Sequence, residues 1–478
     1  MSADSRDLEA HVEQLLVRDA DAHAEAIEAL AEHGDERVVP HLLEVLVIDA
    51  IGNDWATFGF PEVLRDRDPP RYLDLPEVRW PGVRDALADL AAPKFDSEHA
   101  WVEWESWYSQ QDIEPLAGFD AWKLRLYKSY LPPVGGLLDA EPRKFDLQDV
   151  RWGNCDRSFL AALNAPDFFP RDDADYLDDE DTVFGFEIEG TRYAVPREVL
   201  FPHELLNVTL NGVPVSLTYC TLCNAPILYD RRVGGAATRS TSQNSVDRRV
   251  EAGDHDVLTF GSSGMLASGN KVMYDEETET LWDQHAGVPT AGHYLAEQSD
   301  LVLDQFAVTQ TTYGEWRAEY PDTRVLDPET GYDYDYSHYD DHIGFFRHYW
   351  NNEDVVQPGV RKADGELPEK ADVYGLVSAD ATEVWVIPVD DFDDPLVGTV
   401  DGREVVAVRD ATGDIAVYEA PPAPVERDGD ALVDADGTAW TIARNELRAG
   451  EETRERIPGR HGLWFAFRTH YDDAHVLR

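Results

Sequence analysis

Cysteine, methionine and lysine are scarce in this 478-residue chain: three, three and seven residues respectively. Three cysteines, at 155, 220 and 223, cannot staple a protein of this size, so no disulfide framework is expected. Long apolar runs are missing too. No stretch approaches the roughly 18 residues of a membrane helix, and the opening MSADSRDLEAHVEQLL lacks the apolar centre of a secretory signal. The expectation is a soluble, cytoplasmic protein with no membrane partner. Positive charge is short as well, 41 basic against 95 acidic residues, a net −54, with no basic stripe to meet phosphates. Nucleic acid is therefore not expected as a partner. No phosphate loop, dinucleotide fingerprint, GxSxG elbow or HExxH occurs, and no nucleotide cofactor is expected.

What is abundant is acid, spread from end to end. Such a surface repels itself in dilute buffer. At molar salt the screening length falls to about 3 Å and most of that cost disappears. A halophile's surface is the expectation.

Fold class is expected to be α+β. Residues 1–145 read as helical: AEAIEALAEHGDERVVPHLLEVL gives a helix, a stop at Gly34, and a second helix with Val39, Leu42, Leu43 and Leu46 at core spacing. This unit resembles a HEAT-type repeat, and such a domain is where a protein partner would dock. In WVEWESWYSQ, Trp101, Trp104 and Tyr108 share a helical face and read as aromatic core. From 146 to 478 the texture is short β-type runs broken by turns, with Asn211-Gly212 and Asp401-Gly402 as hairpin signals.

This second region carries an internal repeat. TVFGFEIEGTRYAVP resembles DVYGLVSADATEVWVIP, LNGVPVSLTY resembles VDGREVVAVR, Trp282 matches Trp440, and EWRAEYPDTRVL resembles AFRTHYDDAHVL. Two related lobes are expected, about 182–326 and 372–478, joined by an acidic linker, 327–371. Where lobe one reads YCTLCNAPILYDR, lobe two reads RDATGDIAVYEA. Fold maintenance therefore does not require sulfur at that turn.

The ordered segments HELLN (203–207), YCTLCN (219–224), SSGMLASGNKVMYDEETETLWDQ (262–284) and LWFAF (463–467) resemble the family known as domain of unknown function 3179. The likeness runs over about 146–478. It implies a two-lobed domain with a site at the CxxC turn, and, because some members are selenoproteins, redox use of that position. Two departures stand out. Thr221 and Asn224 replace the family's proline and glycine, and 234–256 reads as an insertion.

CxxC brings two sulfurs close enough to bridge or to hold a soft metal ion. In the redox reading Cys220 and Cys223 carry the chemistry, with Arg231 offsetting the acidic surroundings and Asp275 as a further candidate. An unidentified small-molecule or protein redox partner is then implied. In the metal reading Cys220, Cys223 and His203, with Glu204, Asp275 or water as fourth ligand, hold one zinc or copper-type ion. A non-enzymatic alternative stands beside both: a metal-binding or protein-interaction module whose CxxC is structural or sensing. Met265, Met273 and Trp282 read as core, and Cys155 as a buried free thiol. YDYDYSHYDDH, with His338 and His342, reads as a solvated acidic linker with aromatic anchors.

Overall fold

The computed structural model describes residues 3–53, 79–91, 95, 100–153, 155–157, 159–233, 256–332, 334, 336, 349–353, 359–360 and 365–478. Residues 234–255 of the stretch read as an insertion (234–256) and both linker histidines, His338 and His342, lie outside them.

Helices come first: α1 (Ala3–Gln14), α2 (Ala20–His33), α3 (Val39–Asn53), α4 (Val83–Leu90), α5 (Ala100–Ser109), α6 (Phe119–Tyr130) and α7 (Pro132–Leu138). Gly34 ends α2 in the left-handed conformation (φ 66°), as the glycine stop requires. Residues 38–48 are buried throughout, so α3 is the central helix that the others wrap. Trp101, Trp104 and Tyr108 of α5 are buried as expected.

The helical layer does not end on its own core. Trp80, Trp104 and Trp122 share one with Trp152, Met265, Val272 and Tyr274 of a five-stranded sheet. That sheet contains β1 (Val150–Trp152), and a buried polar knot fastens β1 to the helices. Glu44 of α3 takes Lys123 Nζ at 2.5 Å and Tyr127 Oη at 2.8 Å, while Lys123 Nζ also donates to Val150 O at 2.6 Å. Arg151 Nε lies 3.5 Å from Glu105 of α5.

The β region continues with β2 (Thr182–Ile188), β3 (Thr191–Pro196), β4 (Leu205–Leu210), β5 (Val213–Cys220) and β6 (Ala225–Asp230). Then come β7 (Phe260–Ala267), β8 (Asn270–Asp275), β9 (Leu281–Asp283), β10 (Val288–Ala291), β11 (Gln305–Phe306) and β12 (Thr309–Thr312). Helix α8 (Tyr313–Glu319) and β13 (Arg324–Leu326) follow. Beyond the linker stand β14 (Asp372–Val377), β15 (Glu383–Pro388), β16 (Leu396–Val400), β17 (Arg403–Arg409), β18 (Ile415–Glu419), β19 (Ala431–Val433) and β20 (Ala439–Ile442). The chain closes with β21 (Glu452–Ile457), β22 (Arg460–Leu463), α9 (Trp464–His470) and β23 (Asp473–Val476).

Several arrangements occur twice. Strands β12-β2-β3-β13 lie side by side with two antiparallel contacts and then a parallel one, and so do β22-β14-β15-β23. The antiparallel order β11-β6-β5-β4 has its counterpart in β21-β18-β17-β16. In each half a helix ring sits on a strand glycine. A Cβ at Gly185 would meet Trp316 at 2.3 Å, and one at Gly375 would meet Phe467 at 2.1 Å, so neither position admits a side chain. Trp282 Nε1 donates to Asp275 at 2.9 Å, and Trp440 Nε1 to Asp434 at 2.9 Å. Both expected hairpins form, with positive φ at Asn211-Gly212 and Asp401-Gly402.

Candidate functional site: a buried dithiol turn

Strands β5 and β6 pair with Cys220 opposite Ala225, so Thr221–Asn224 must reverse the chain in a tight turn. Asn224 supplies the left-handed residue (φ 49°) that the turn needs, which glycine adopts freely and asparagine tolerates. Asparagine at 224 thus keeps a turn that glycine would also allow. The hydroxyl of Thr221, which a proline would lack, donates to Glu204 Oε1 at 3.3 Å.

The sulfurs of Cys220 and Cys223 stand 2.8 Å apart, and both residues are buried. They are not chemically alike. Burial opposes charge on Cys220. The Cys223 thiol and the backbone N–H groups of Lys271, Cys223 and Leu222 outweigh it, holding the Cys220 pKa below the ordinary thiol value. Burial, the Cys220 sulfur and the Asp283 carboxylate push the Cys223 thiol well up. Of the two, Cys220 is the sulfur that gives up its proton more readily. The Cys223 sulfur also lies 3.1 Å from Asn270 Oδ1, and Asn270 Nδ2 reaches Asp283 Oδ1 at 3.5 Å.

Beside the sulfurs lies a buried charged group. Lys271 Nζ pairs with Glu204 and donates to Ser262 Oγ at 3.0 Å. Burial lowers the Lys271 pKa to about 7, and Cys155 opposes the shift. Glu204 itself sits at φ 58°, a conformation a glutamate seldom adopts. Cys155 is a buried free thiol, pushed up to about 12 by burial.

An apolar roof covers the pair. Tyr349, Trp350, Val360, Leu463 and Phe465 pack against Cys220 and Cys223, and Trp350 Nε1 donates to Thr221 O at 2.9 Å.

The other expected site residues fall elsewhere. His203 is buried with Nδ1 2.7 Å from Ala161 O and Nε2 2.7 Å from Tyr336 Oη, ringed by Tyr332 and Tyr334. The aromatic anchors expected of the acidic linker are these tyrosines. Arg231 stands the length of β6 from the turn, roughly 20 Å, where it donates to Leu258 O and, at 3.3 Å, to Thr259 Oγ1. Asp275 closes the far end of β8, roughly 17 Å along the strand from Asn270. It accepts from Thr278 N at 2.6 Å and from Trp282 Nε1. The structure therefore brings Cys220, Cys223 and Glu204 into one neighbourhood and leaves His203, Arg231 and Asp275 engaged in other contacts.

These residues do not fit a metal ion. Among the described residues no group of three His, Cys, Asp or Glu side chains stands close enough to hold one. His203 spends both nitrogens elsewhere, and Glu204 faces Lys271. Sulfurs 2.8 Å apart, each ~2.3 Å from zinc, would close the S–metal–S angle to about 75°, against about 109° for a tetrahedron.

Sequence reasoning passed over Asn270, Lys271, Tyr349 and Trp350. For Lys271 a signal existed: in a chain with seven lysines, one inside a motif strand is conspicuous. No helix among the described residues is long and apolar enough to cross a membrane. No curated protein and no solved structure matches this chain. A family model does match, over residues 160–474, which takes in the dithiol turn, Glu204, Lys271 and the roof residues. By that match, which spans more than half of the 478 residues, the chain belongs to the family described as Protein of unknown function (DUF3179).

Proposed function

We propose that the protein is a dithiol–disulfide redox protein whose working pair is Cys220 and Cys223. One observation carries this: two sulfurs 2.8 Å apart, one with its pKa held down and the other pushed up. The Cys220 thiolate is the attacking sulfur and Cys223 the resolving one. Oxidation joins the two sulfurs at about 2.05 Å and passes two electrons to a disulfide or hydroperoxide, which takes up the Cys223 proton and one from solvent and leaves as two thiols or as water and alcohol. The bridge needs little movement from the present geometry. Arg231 and Asp275 are left out of this chemistry, because their contacts are with the hairpins that hold them.

The test is a thiol count on reduced protein before and after mild oxidation, with elemental analysis alongside. One reversible Cys220–Cys223 bridge and no stoichiometric zinc or copper is the expected result. A bound ion with no bridge would return the site to the metal reading.

The apolar roof favours a second, non-enzymatic reading. Leu463 and Phe465 come from the second half, so bridging the pair would change how the halves meet, which is how a sensor would work. The halves themselves we read as the products of an internal duplication, supported by the shared strand orders and the paired Gly185 and Gly375 seats. The HEAT-like reading of α2 and α3 rests on one helix–turn–helix unit. In our reading the layer's main partner is the sheet it covers. The charge of −54 supports a protein suited to molar salt in a halophile's cytoplasm.

A further inference from the structure

Resting on the dithiol reading, we infer that the oxidant taken by Cys220 is a small hydroperoxide, and that the Tyr349 hydroxyl is a catalytic residue that binds it. The first ground is access. Cys220 is 2% exposed and Cys223 0%, under a roof that is itself buried. That roof is tied down. Trp350 Nε1 bonds Thr221 O, and Lys370 Nζ donates to Asn352 O at 2.7 Å and to Tyr349 O. In-line attack on a protein disulfide needs three sulfurs in a row, and no folded partner can present one here. A molecule of two oxygens needs only side-chain movement in the roof.

The second ground is an unspent hydroxyl. Among the described residues Tyr349 Oη is buried with no hydrogen-bond partner, and its ring packs in the same cluster as both cysteines. A buried O–H left unmatched is costly and calls for a use. Burial, with Cys223 and Cys220 beside it, keeps this phenol protonated and so a donor.

The third ground lies inward. Ser216, Thr218 and Cys220 follow one another on one face of β5. Gln284 Nε2 donates to Thr218 Oγ1 at 2.9 Å, while among the described residues Gln284 Oε1 and, further along the strand, Ser216 Oγ have no partner. Gln284, whose Nε2 also donates to Ala225 O at 3.2 Å opposite Cys220, thus offers an unmatched acceptor near the sulfurs, which suits a guest that can donate.

The chemistry balances. The Cys220 thiolate attacks one peroxide oxygen; an S–O bond forms, the O–O bond breaks, and its electron pair leaves on the second oxygen. Tyr349 donates a hydrogen bond to that departing oxygen, which takes up a proton from solvent and leaves as water or alcohol. Cys223 sulfur then attacks Cys220 sulfur; the S–O bond breaks, and hydroxide leaves with the Cys223 proton as water. The two sulfurs lose two electrons in all, and the two peroxide oxygens gain them.

The test mixes reduced full-length protein in molar salt with hydrogen peroxide, and separately with glutathione disulfide at the same concentration. Bridge formation is followed by tryptophan fluorescence and by mass after acid quench. Peroxide should form the bridge at least about 100-fold faster, and Tyr349→Phe should slow the peroxide arm about tenfold, as loss of one hydrogen bond to developing charge implies. The glutathione disulfide rate should stay unchanged. Because the hydroxyl has no partner among the described residues, Tyr349→Phe should fold as well as the parent. Should it fail to fold, Cys223→Ser with peroxide should give a Cys220 sulfenic acid, read after the acid quench as one oxygen added at Cys220, and no added oxygen would overturn the inference. Faster bridging by glutathione disulfide, or an unchanged peroxide rate in Tyr349→Phe, would overturn the hydroperoxide and leave the dithiol standing. No bridge with either oxidant would remove both.

Discussion

Two turns occupy matching places in the strand orders, Thr221–Asn224 between β5 and β6, and Asp410–Asp414 between β17 and β18. Each is received by the other half of the molecule. Leu463 N of β22 donates to Cys223 O at 2.9 Å. In reciprocal fashion, Gln310 N of β12 donates to Asp414 Oδ2 at 3.1 Å, and Thr311 Oγ1 to Thr412 O at 2.9 Å. The second turn holds its shape with Asp410, which accepts from Thr412 N at 2.9 Å and Thr412 Oγ1 at 2.6 Å, and with Gly413 at φ 78°. Carboxylate and hydroxyl suffice there. Docking between the halves therefore does not call for sulfur, and the cysteines of the first turn are surplus to it.

The largest contrast should come from Cys220→Ser, which abolishes reversible bridging, while Asp410→Asn in the second turn leaves it intact. Native thiol titration under mild oxidation reads both, and Cys155 should stay silent in either variant. Bridging that survives Cys220→Ser would erase the contrast. Next is stability around the first turn. Lys271→Met leaves the Glu204 carboxylate without its cation and should cost about 3–5 kcal/mol in denaturant unfolding at molar salt. The double variant Lys271→Met/Glu204→Leu should recover much of that; a single variant costing nothing would mean the pair does not anchor the turn.

Smaller effects should look alike in both halves. Trp282→Phe and Trp440→Phe each remove an indole donor from a carboxylate and should each lower the melting midpoint by roughly 2–4 °C. A marked difference between them would weaken the likeness of the halves. Smallest is the response to pH. The bridging rate should rise with thiolate, with a midpoint below the ordinary thiol value of about 8.5. Cys220, its pKa held down, adds stability that is present above its unfolded pKa and lost as pH falls through the folded one. Cys223, pushed up, adds stability that is present below its unfolded pKa and lost as pH rises through the folded one. The two oppose each other, so pH scans of unfolding should show little net change near neutrality, with Cys223→Ser exposing the Cys220 slope.

Local pattern carried a good part of this architecture. Asn211-Gly212 and Asp401-Gly402 announced their hairpins because only certain residues accept positive φ. The repeated glycines at 185 and 375 stayed aligned because each must admit a ring. The CxxC pair was visible, and so was its absence from the other half. What local pattern could not supply was who faces whom across long separations. His203 looked available because nothing nearby in sequence shows Tyr332, Tyr334 and Tyr336 closing around it from the linker. Arg231 looked adjacent to Cys223 by count, yet a strand carries each residue about 3.3 Å further on. Tyr349 and Trp350 sat in the stretch read as an acidic linker, 327–371, and only the tertiary fold lays them over the sulfurs.

The shared core of helices and sheet sets a limit on how the protein can be cut. The segment matched by the family model begins at 160, after β1 and all seven helices described above. Expressed alone, it would lose an edge strand and lay Met265, Val272, Tyr274 and Leu281 open to water, a greasy face with nothing to shield it. Such a truncation is expected to precipitate, whereas the whole chain should melt in a single cooperative step.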